Sequence, residues 1–199
     1  MRRPFRSGAA PGQTGLYTRQ AFFHHASMLL GSSQDGTYQA VVVDIHNFKQ
    51  VNSIYGENVG DDIIQYLAGK LKRLVPEGLV AHYDGDSFVC LENVTAHTDA
   101  ELEKAIRGIA KAAPIRNLLL KCGVYCCENA SLPVSAICNR AFLALNSIKD
   151  DMNHAVARFD DSINQRICRE REQAFLDYAA RWHESGDDCG LQIKRALRV

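Results

Sequence analysis

Apolar and polar positions along this chain alternate between a helical and a strand-like rhythm. From residue 19 to about 30, Phe22, Phe23, Met28 and Leu29 fit a helical repeat, and a polar break follows over 31–36. Residues 38–45 contain Ala40-Val41-Val42-Val43, a β-branched run bounded by turn residues, which predicts a buried strand. Phe48, Val51, Ile54 and Tyr55 then recur at helical spacing until Gly56. After a short break over 57–60, Ile63, Ile64, Leu67 and Leu71 predict a second helix, closed near Pro76 and Gly78. Across 79–91, two short apolar segments flank Tyr83-Asp84-Gly85-Asp86. An Asp-Gly pair there predicts a hairpin, because both central residues of the favoured turn need positive φ, which Asp tolerates and Gly adopts freely. A helix over 99–113, a strand over 118–127, a helix from 134 to about 150 and a short strand over 155–159 complete the pattern.

Without its leading helix, this order contains the β-α-β-β-α-β succession of ferredoxin-like folds, with an extra helix in the first crossover. The expected class is α+β: one sheet with antiparallel pairs and helices on its faces. Residues 1–13, rich in Arg, Gly and Pro, read as a flexible leader, 14–160 as the domain, and 161–199 as a connector helix and tail. In that last part Ile163, Ile167, Phe175, Tyr178 and Trp182 lie near helical spacing, with Asp161 or Ser162 as a cap and Gly186 as an end. The pattern suits equally a helix folded back on the domain and a connector or dimerisation helix.

Composition narrows the function. A length of 199 residues suits one domain with an appendage, and 46% hydrophobic residues suffice for a packed core. With 23 basic and 23 acidic residues the formal net charge is zero, which argues against a nucleic-acid partner or a polybasic membrane binder. No apolar run approaches the roughly 20 residues of a membrane span, so a soluble, cytoplasmic protein without a membrane segment is expected. Seven cysteines without a CxxC pair read as reduced, mostly buried thiols, and the seven histidines form no obvious ligand grouping.

Chemistry concentrates at predicted strand ends. Asp44 ends the first strand, while Asp84 and Asp86 lie at the hairpin. If those strands are neighbours, their carboxylates converge on one sheet edge and suit a hard cation such as Mg²⁺, which binds one or two carboxylates plus phosphate oxygens. Gly85 permits close approach of the backbone to a phosphate.

These residues sit inside a longer resemblance. Thr14-Gly15-Leu16-Tyr17-Thr18-Arg19 resembles the opening motif of GGDEF domains. The stretch from Asp44-Ile45-His46-Asn47-Phe48-Lys49-Gln50-Val51-Asn52 through Tyr55-Gly56 and Gly60-Asp61 is similar to their DxDxFKxxNDxxGHxxGD region. Tyr83-Asp84-Gly85-Asp86-Ser87-Phe88 falls where the family has its signature, and Ala144-Leu145 with Lys149 resembles the late ALYxAK helix. The similarity covers about 14–160 in order and implies the family's nucleotidyl-cyclase-like sheet. It also implies diguanylate cyclase chemistry, in which two domains, each holding one GTP, face each other and make cyclic di-GMP with Mg²⁺. By carry-over, Asp44, the Ile45 carbonyl and Asp86 are metal ligands. Asn52 and Asp61 meet the guanine, Phe48 and Gly85 belong to the nucleotide site, and Lys149 meets the phosphates.

The departures fall on the chemistry. The signature reads Asp84-Gly85-Asp86-Ser87-Phe88, so its first glycine and its glutamate are missing. Ser87 brings no negative charge for cation binding or hydroxyl activation, and Asp84 adds a carboxylate where phosphates would lie. His46 replaces the second Asp of the strand motif, Ser53 an Asp, Glu57 a His, and Asn153 a phosphate-binding Arg. Val75-Pro76-Glu77-Gly78 stands where the RxxD feedback motif would end. The expectation is a degenerate, catalytically impaired GGDEF domain acting as a regulatory GTP-binding or partner-binding module. The alternative is residual cyclase activity, with Asp84 replacing the missing glutamate. The stretch at Glu184-Ser185-Gly186 and Leu191-Gln192-Ile193-Lys194 faintly resembles the entry strand of EAL domains, which makes an EAL-type neighbour or a homodimer the expected partners.

Overall fold

The computed structural model describes residues 14–184, so the predicted leader over 1–13, Gly186 and the EAL-like Leu191–Lys194 stretch lie outside the described residues. The chain divides into two units, Met1–Phe159 and Asp160–Val199. The first contains β1 (Tyr17–Thr18), α1 (Arg19–Gly31), β2 (Tyr38–Ile45), α2 (Phe48–Tyr55), α3 (Glu57–Leu74) and β3 (Leu79–Asp84). It continues with β4 (Ser87–Asn93), α4 (Asp99–Lys111), β5 (Leu120–Cys126), α5 (Val134–Ser147) and β6 (Val156–Arg158).

One six-stranded sheet runs in the order β1-β3-β4-β2-β5-β6. Its four central strands have the ferredoxin-like arrangement, with β2 antiparallel to both β4 and β5 and β3 antiparallel to β4. β1 extends one edge parallel to β3, and β6 extends the other parallel to β5. Both faces are covered, and this explains why β2 reads as a continuous apolar run rather than an alternation. Val41, Val43 and Ile45 join Phe88, Cys90, Cys122 and Val124 beneath Ile63, Leu67 and Leu71 of α3 and Leu102 and Ile106 of α4. Ala40 and Val42 join Ala81, Val89, Leu91 and Tyr125 beneath Phe22 and Ala26 of α1 and Ile137, Ala141 and Leu145 of α5. Helix α4 is entered through a capping box, in which Thr98 accepts from Glu101 N while the Glu101 carboxylate accepts from Thr98 N. The short β6 is tied in by a buried polar chain. Arg158 donates to Gln39 Oε1 and pairs with Asp99, Gln39 Nε2 donates to Glu92 Oε1, and His97 Nδ1 lies 2.9 Å from Glu92 Oε2.

Several expected boundaries shift. Residues 57–60 are not a break but the first turn of α3, since Gly56 alone, at φ 90, turns the chain between the two helices. The helix predicted to about 150 ends at Ser147. The hairpin turn is framed one residue later than Asp84-Gly85. Asp84 remains in β3 and pairs with Ser87, so Gly85 and Asp86 form the loop, and of the two only Gly85 has positive φ (46°). The cause is a bulge: pairing passes from His82↔Phe88 to Asp84↔Ser87, leaving Tyr83 as the extra residue. The Tyr83 ring lies 6.0 Å from that of Phe23 and 5.2 Å from that of Phe142, with the Arg19 guanidinium 4.6 Å from its centroid. Those contacts give the displaced residue a packed position.

Cysteines 90, 122, 127 and 138 are buried free thiols, as expected. Burial pushes Cys127 and Cys138 up to about 12, so these sulfurs are poor nucleophiles. The second unit contains α6 (Asp161–Glu184). Its cap is Asp160 rather than Asp161 or Ser162, because Asp160 Oδ1 accepts from Ile163 N at 2.9 Å and from Ser162 Oγ at 2.5 Å. Among the described residues no helix is long and apolar enough to cross a membrane.

Candidate functional site

The end of β2, the β3–β4 turn and the start of α2 meet at one end of the sheet. Asp44 is opposite Ser87 in the β2–β4 register, and Ser87 is opposite Asp84 in the β3–β4 register. Asp84, Ser87 and Asp44 therefore form a row across three adjacent strands. Ser87 Oγ donates to Asp44 Oδ1 at 2.6 Å, a short bond to a carboxylate that is itself buried. Asp86, in the turn beside them, has its pKa raised, first by burial and then by the charge of Asp44, with Asp84 adding to the effect. Its own backbone and the Lys149 ammonium act in the opposite direction. Ile45, the proposed carbonyl ligand, is fully buried and paired with Leu120 on β5.

Immediately after β2 the chain turns through Asn47, which has φ 56, and enters α2. Asn47 gives α2 no side-chain cap, because its Nδ2 lies 2.9 Å from His46 Nε2. The N–H groups of the first turn of α2 thus have no side-chain acceptor and form a local anion-attracting end. If Asn47 donates in that contact, His46 carries its proton on Nδ1, and that atom is buried without a partner.

One turn further along α2, Asn52 Oδ1 is also buried without a partner. Gly60 makes this possible: a Cβ there would lie 1.9 Å from Asn52 Oδ1 and 3.1 Å from Phe48 Cζ. Phe48, Asn52 and Gly60 thus come together, and Asp61 follows Gly60 on α3 with its side chain exposed. An unsatisfied acceptor in such a position is costly unless a ligand or water donor completes it. The structure thus groups Asp44, Asp84, Asp86, Ser87 and Lys149 at one sheet end, and Phe48 and Asn52 one helical turn away. Sequence reasoning missed the Ser87–Asp44 bond, the packing of Gly60 on Asn52 and the orphaned His46 nitrogen. Only the motif position of Gly60 carried a signal, as a residue with no side chain. A cleft of about 230 Å³, lined by Ile106, Leu118, Leu120 and Ala155 among others, shares none of these residues.

The donor set accommodates a hard cation only in part. The pKa of Asp86 is raised first by burial and then by the neighbouring Asp44 charge, and a cation would relieve the second of these. Among the described residues, however, no group of three or more His, Cys, Asp or Glu side chains is placed to hold a metal ion.

Removing that charge gives a pH-dependent test. A carboxyl whose folded pKa lies above its unfolded value destabilises the fold where it is ionised, and the penalty fades as pH falls through the ordinary carboxylate range of about 4. Asp86→Asn is therefore expected to raise the melting temperature near neutral pH, with the gain disappearing at about pH 3. Melts of both proteins across that range check it, and no gain at neutral pH contradicts the assigned environment.

Residues 12–155 match the family described as "Diguanylate cyclase, GGDEF domain". The chain belongs to this family. Signaling protein YkoW of Bacillus subtilis is 30% identical over 111 residues, which are 52% of this chain and 14% of that protein. Probable diguanylate cyclase DgcT of Escherichia coli is 30% identical over 96 residues, 47% of this chain and 21% of that protein. The chain thus matches only a small part of these relatives' lengths. The solved GGDEF domain of DgcB from Caulobacter crescentus, in complex with c-di-GMP, superposes with a TM-score of 0.65 at 21% identity. That match covers 79% of this chain and 97% of the DgcB domain, and it places the sheet and its helices in the same fold. Domains of this family generally use Mg²⁺ in their nucleotide chemistry.

Proposed function

We propose that this chain is a catalytically impaired GGDEF domain that retains a guanine-binding pocket and serves cyclic di-GMP signalling as a regulatory GTP-binding module. The observation that carries this reading is Ser87, which stands at the signature's glutamate position and holds Asp44 through a 2.6 Å hydrogen bond. A hydroxyl that occupies one carboxylate and contributes no charge of its own is a poor substitute for an acid that organises cations. In transition-state terms, loss of one charge stabiliser costs about 10²–10³ in rate.

At the other end of the site the features favour a bound base. The amide of Asn52 has an unpartnered buried oxygen, and Gly60 leaves room for it. Together with the Asp61 carboxylate, that amide offers the donor and acceptor pattern that a guanine edge requires. Lys149 and the uncapped start of α2 supply positive potential for phosphate.

Calorimetry with GTP and ATP in the presence of Mg²⁺ tests the proposal. A GTP-specific heat is expected, and Asn52→Ala is expected to weaken GTP by about tenfold, or about 1.4 kcal/mol. Equal heats for GTP and ATP remove the guanine-specific reading, and no heat for either at millimolar nucleotide leaves a domain that acts through protein contacts alone.

A further inference from the structure

We propose that Asp84 is a specificity-determining residue that makes this site favour guanine ligands of low phosphate charge and admit a triphosphate only together with a divalent cation. The inference rests on the guanine-binding reading above and deepens it.

The geometry of the strand row carries the argument. Asp84, Ser87 and Asp44 occupy facing positions on β3, β4 and β2. Neighbouring strands are about 4.8 Å apart, so two acidic positions flank the serine within about 10 Å. Asp86 adds a third carboxyl in the turn between β3 and β4. The charges felt at Asp86 are those of Asp44, Asp84 and Lys149, so with Asp86 itself three carboxyls meet one ammonium. Two further cations are engaged elsewhere: Arg19 lies over the Tyr83 and Phe23 rings, 4.6 and 5.4 Å from their centroids, and Lys121, opposite Asp44 on β5, donates its ammonium to the Asp151 and His154 carbonyls. The same sheet end holds the start of α2, which has no side-chain cap and whose leading N–H groups, ahead of Gln50 and Val51 that donate to the Asn47 carbonyl, draw phosphate in.

A polyphosphate placed there meets attraction from a helix terminus and repulsion from a carboxylate row. At the base end, Phe48 and Asn52, one turn along α2, are uncharged, and Asp61 is exposed to solvent. A nucleoside therefore escapes the repulsion, and each added phosphate feels it more strongly. Of the three carboxyls, Asp84 alone is exposed in a strand and makes none of the hydrogen bonds that tie Asp44 to Ser87. It can therefore be neutralised without disturbing the bond that holds the site.

Titration calorimetry of the full chain with guanosine, GMP and GTP, each in EDTA and in Mg²⁺, reads the effect. In EDTA, GTP is expected to bind about tenfold or more weakly than guanosine, as Coulomb repulsion at partly solvated distances requires. Mg²⁺ narrows that gap. Asp84→Asn, which keeps the size of the side chain, raises the ratio of GTP to guanosine affinity in EDTA by about tenfold. GTP binding in EDTA as tightly as guanosine, or an unchanged ratio in Asp84→Asn, overturns the inference while leaving guanine binding intact. Absence of heat from all three ligands overturns the guanine-binding reading and this inference together.

Discussion

Gly123→Ala is expected to destabilise this domain by about 3 kcal/mol, the upper end of ordinary overpacking costs. Gly123 sits in β5 opposite Val42, directly beneath α5. A Cβ at this position would lie 2.0 Å from the Ala141 carbonyl oxygen and 2.5 Å from Leu145 N. Both are backbone atoms of a helix, so no rotamer change relieves the overlap and α5 must lift from the sheet. For a domain of this size the loss corresponds to a fall in melting temperature of about 6–12 °C. Gly69→Ala is the matched control. Gly69 lies within α3 with open space where its Cβ would go, and alanine there is expected to stabilise by about 0.5–1 kcal/mol. Urea unfolding of both variants checks the pair. A cost below about 1 kcal/mol for Gly123→Ala would mean that α5 does not rest on β5 at this distance. Because Lys149 follows the end of α5, displacement of the helix also moves that ammonium relative to Asp86, which couples packing to the site.

The second large effect concerns turnover. Incubated with GTP and Mg²⁺, the protein is expected to form cyclic di-GMP about 10³-fold or more slowly than a GGDEF domain with its full signature. Ser87→Glu combined with Asp84→Gly rewrites the turn to the family's Gly-Gly-Asp-Glu-Phe and is expected to raise the rate by about 10². The gain arises because the new carboxylate replaces a hydroxyl that now donates to Asp44, freeing that carboxylate as well. Recovery stays incomplete, since Asn153 still stands where the family carries an arginine. Chromatography of reaction mixtures after long incubation measures both rates. Brisk conversion by the unaltered protein sinks the impaired reading and favours Asp84 as a working replacement for the glutamate.

Much of the fold was legible from residue order. β2 announces itself because both its faces are covered, which leaves Ala40–Val43 uniformly apolar. The α3 repeat of Ile63, Ile64, Leu67 and Leu71 points all four residues at one cluster. β1 was not legible. It is two residues long and exists only through its pairing with Ala81 and His82, some 64 residues away in the chain. The turn was found in the right place but in the wrong frame, because the Tyr83 bulge that shifts it is supported by Arg19, Phe23 and Phe142.

The candidate site divides along the same line. Their place at predicted strand ends nominated Asp44, Asp84 and Asp86, and the family resemblance nominated Asn52 and Lys149, both from local stretches of the chain. Whether the carboxyls meet was decided by strand pairing, which sets Asp44 against Ser87 and Ser87 against Asp84. That an Asn52 oxygen lacks a partner depends on the approach of α2 to Gly60 in α3. Hydrophobic period and turn chemistry act over a few residues and so are written into the sequence. Charge crowding, a serine's choice of acceptor and an amide left unpaired arise only when distant segments are brought within a few ångströms, and only tertiary packing specifies those distances.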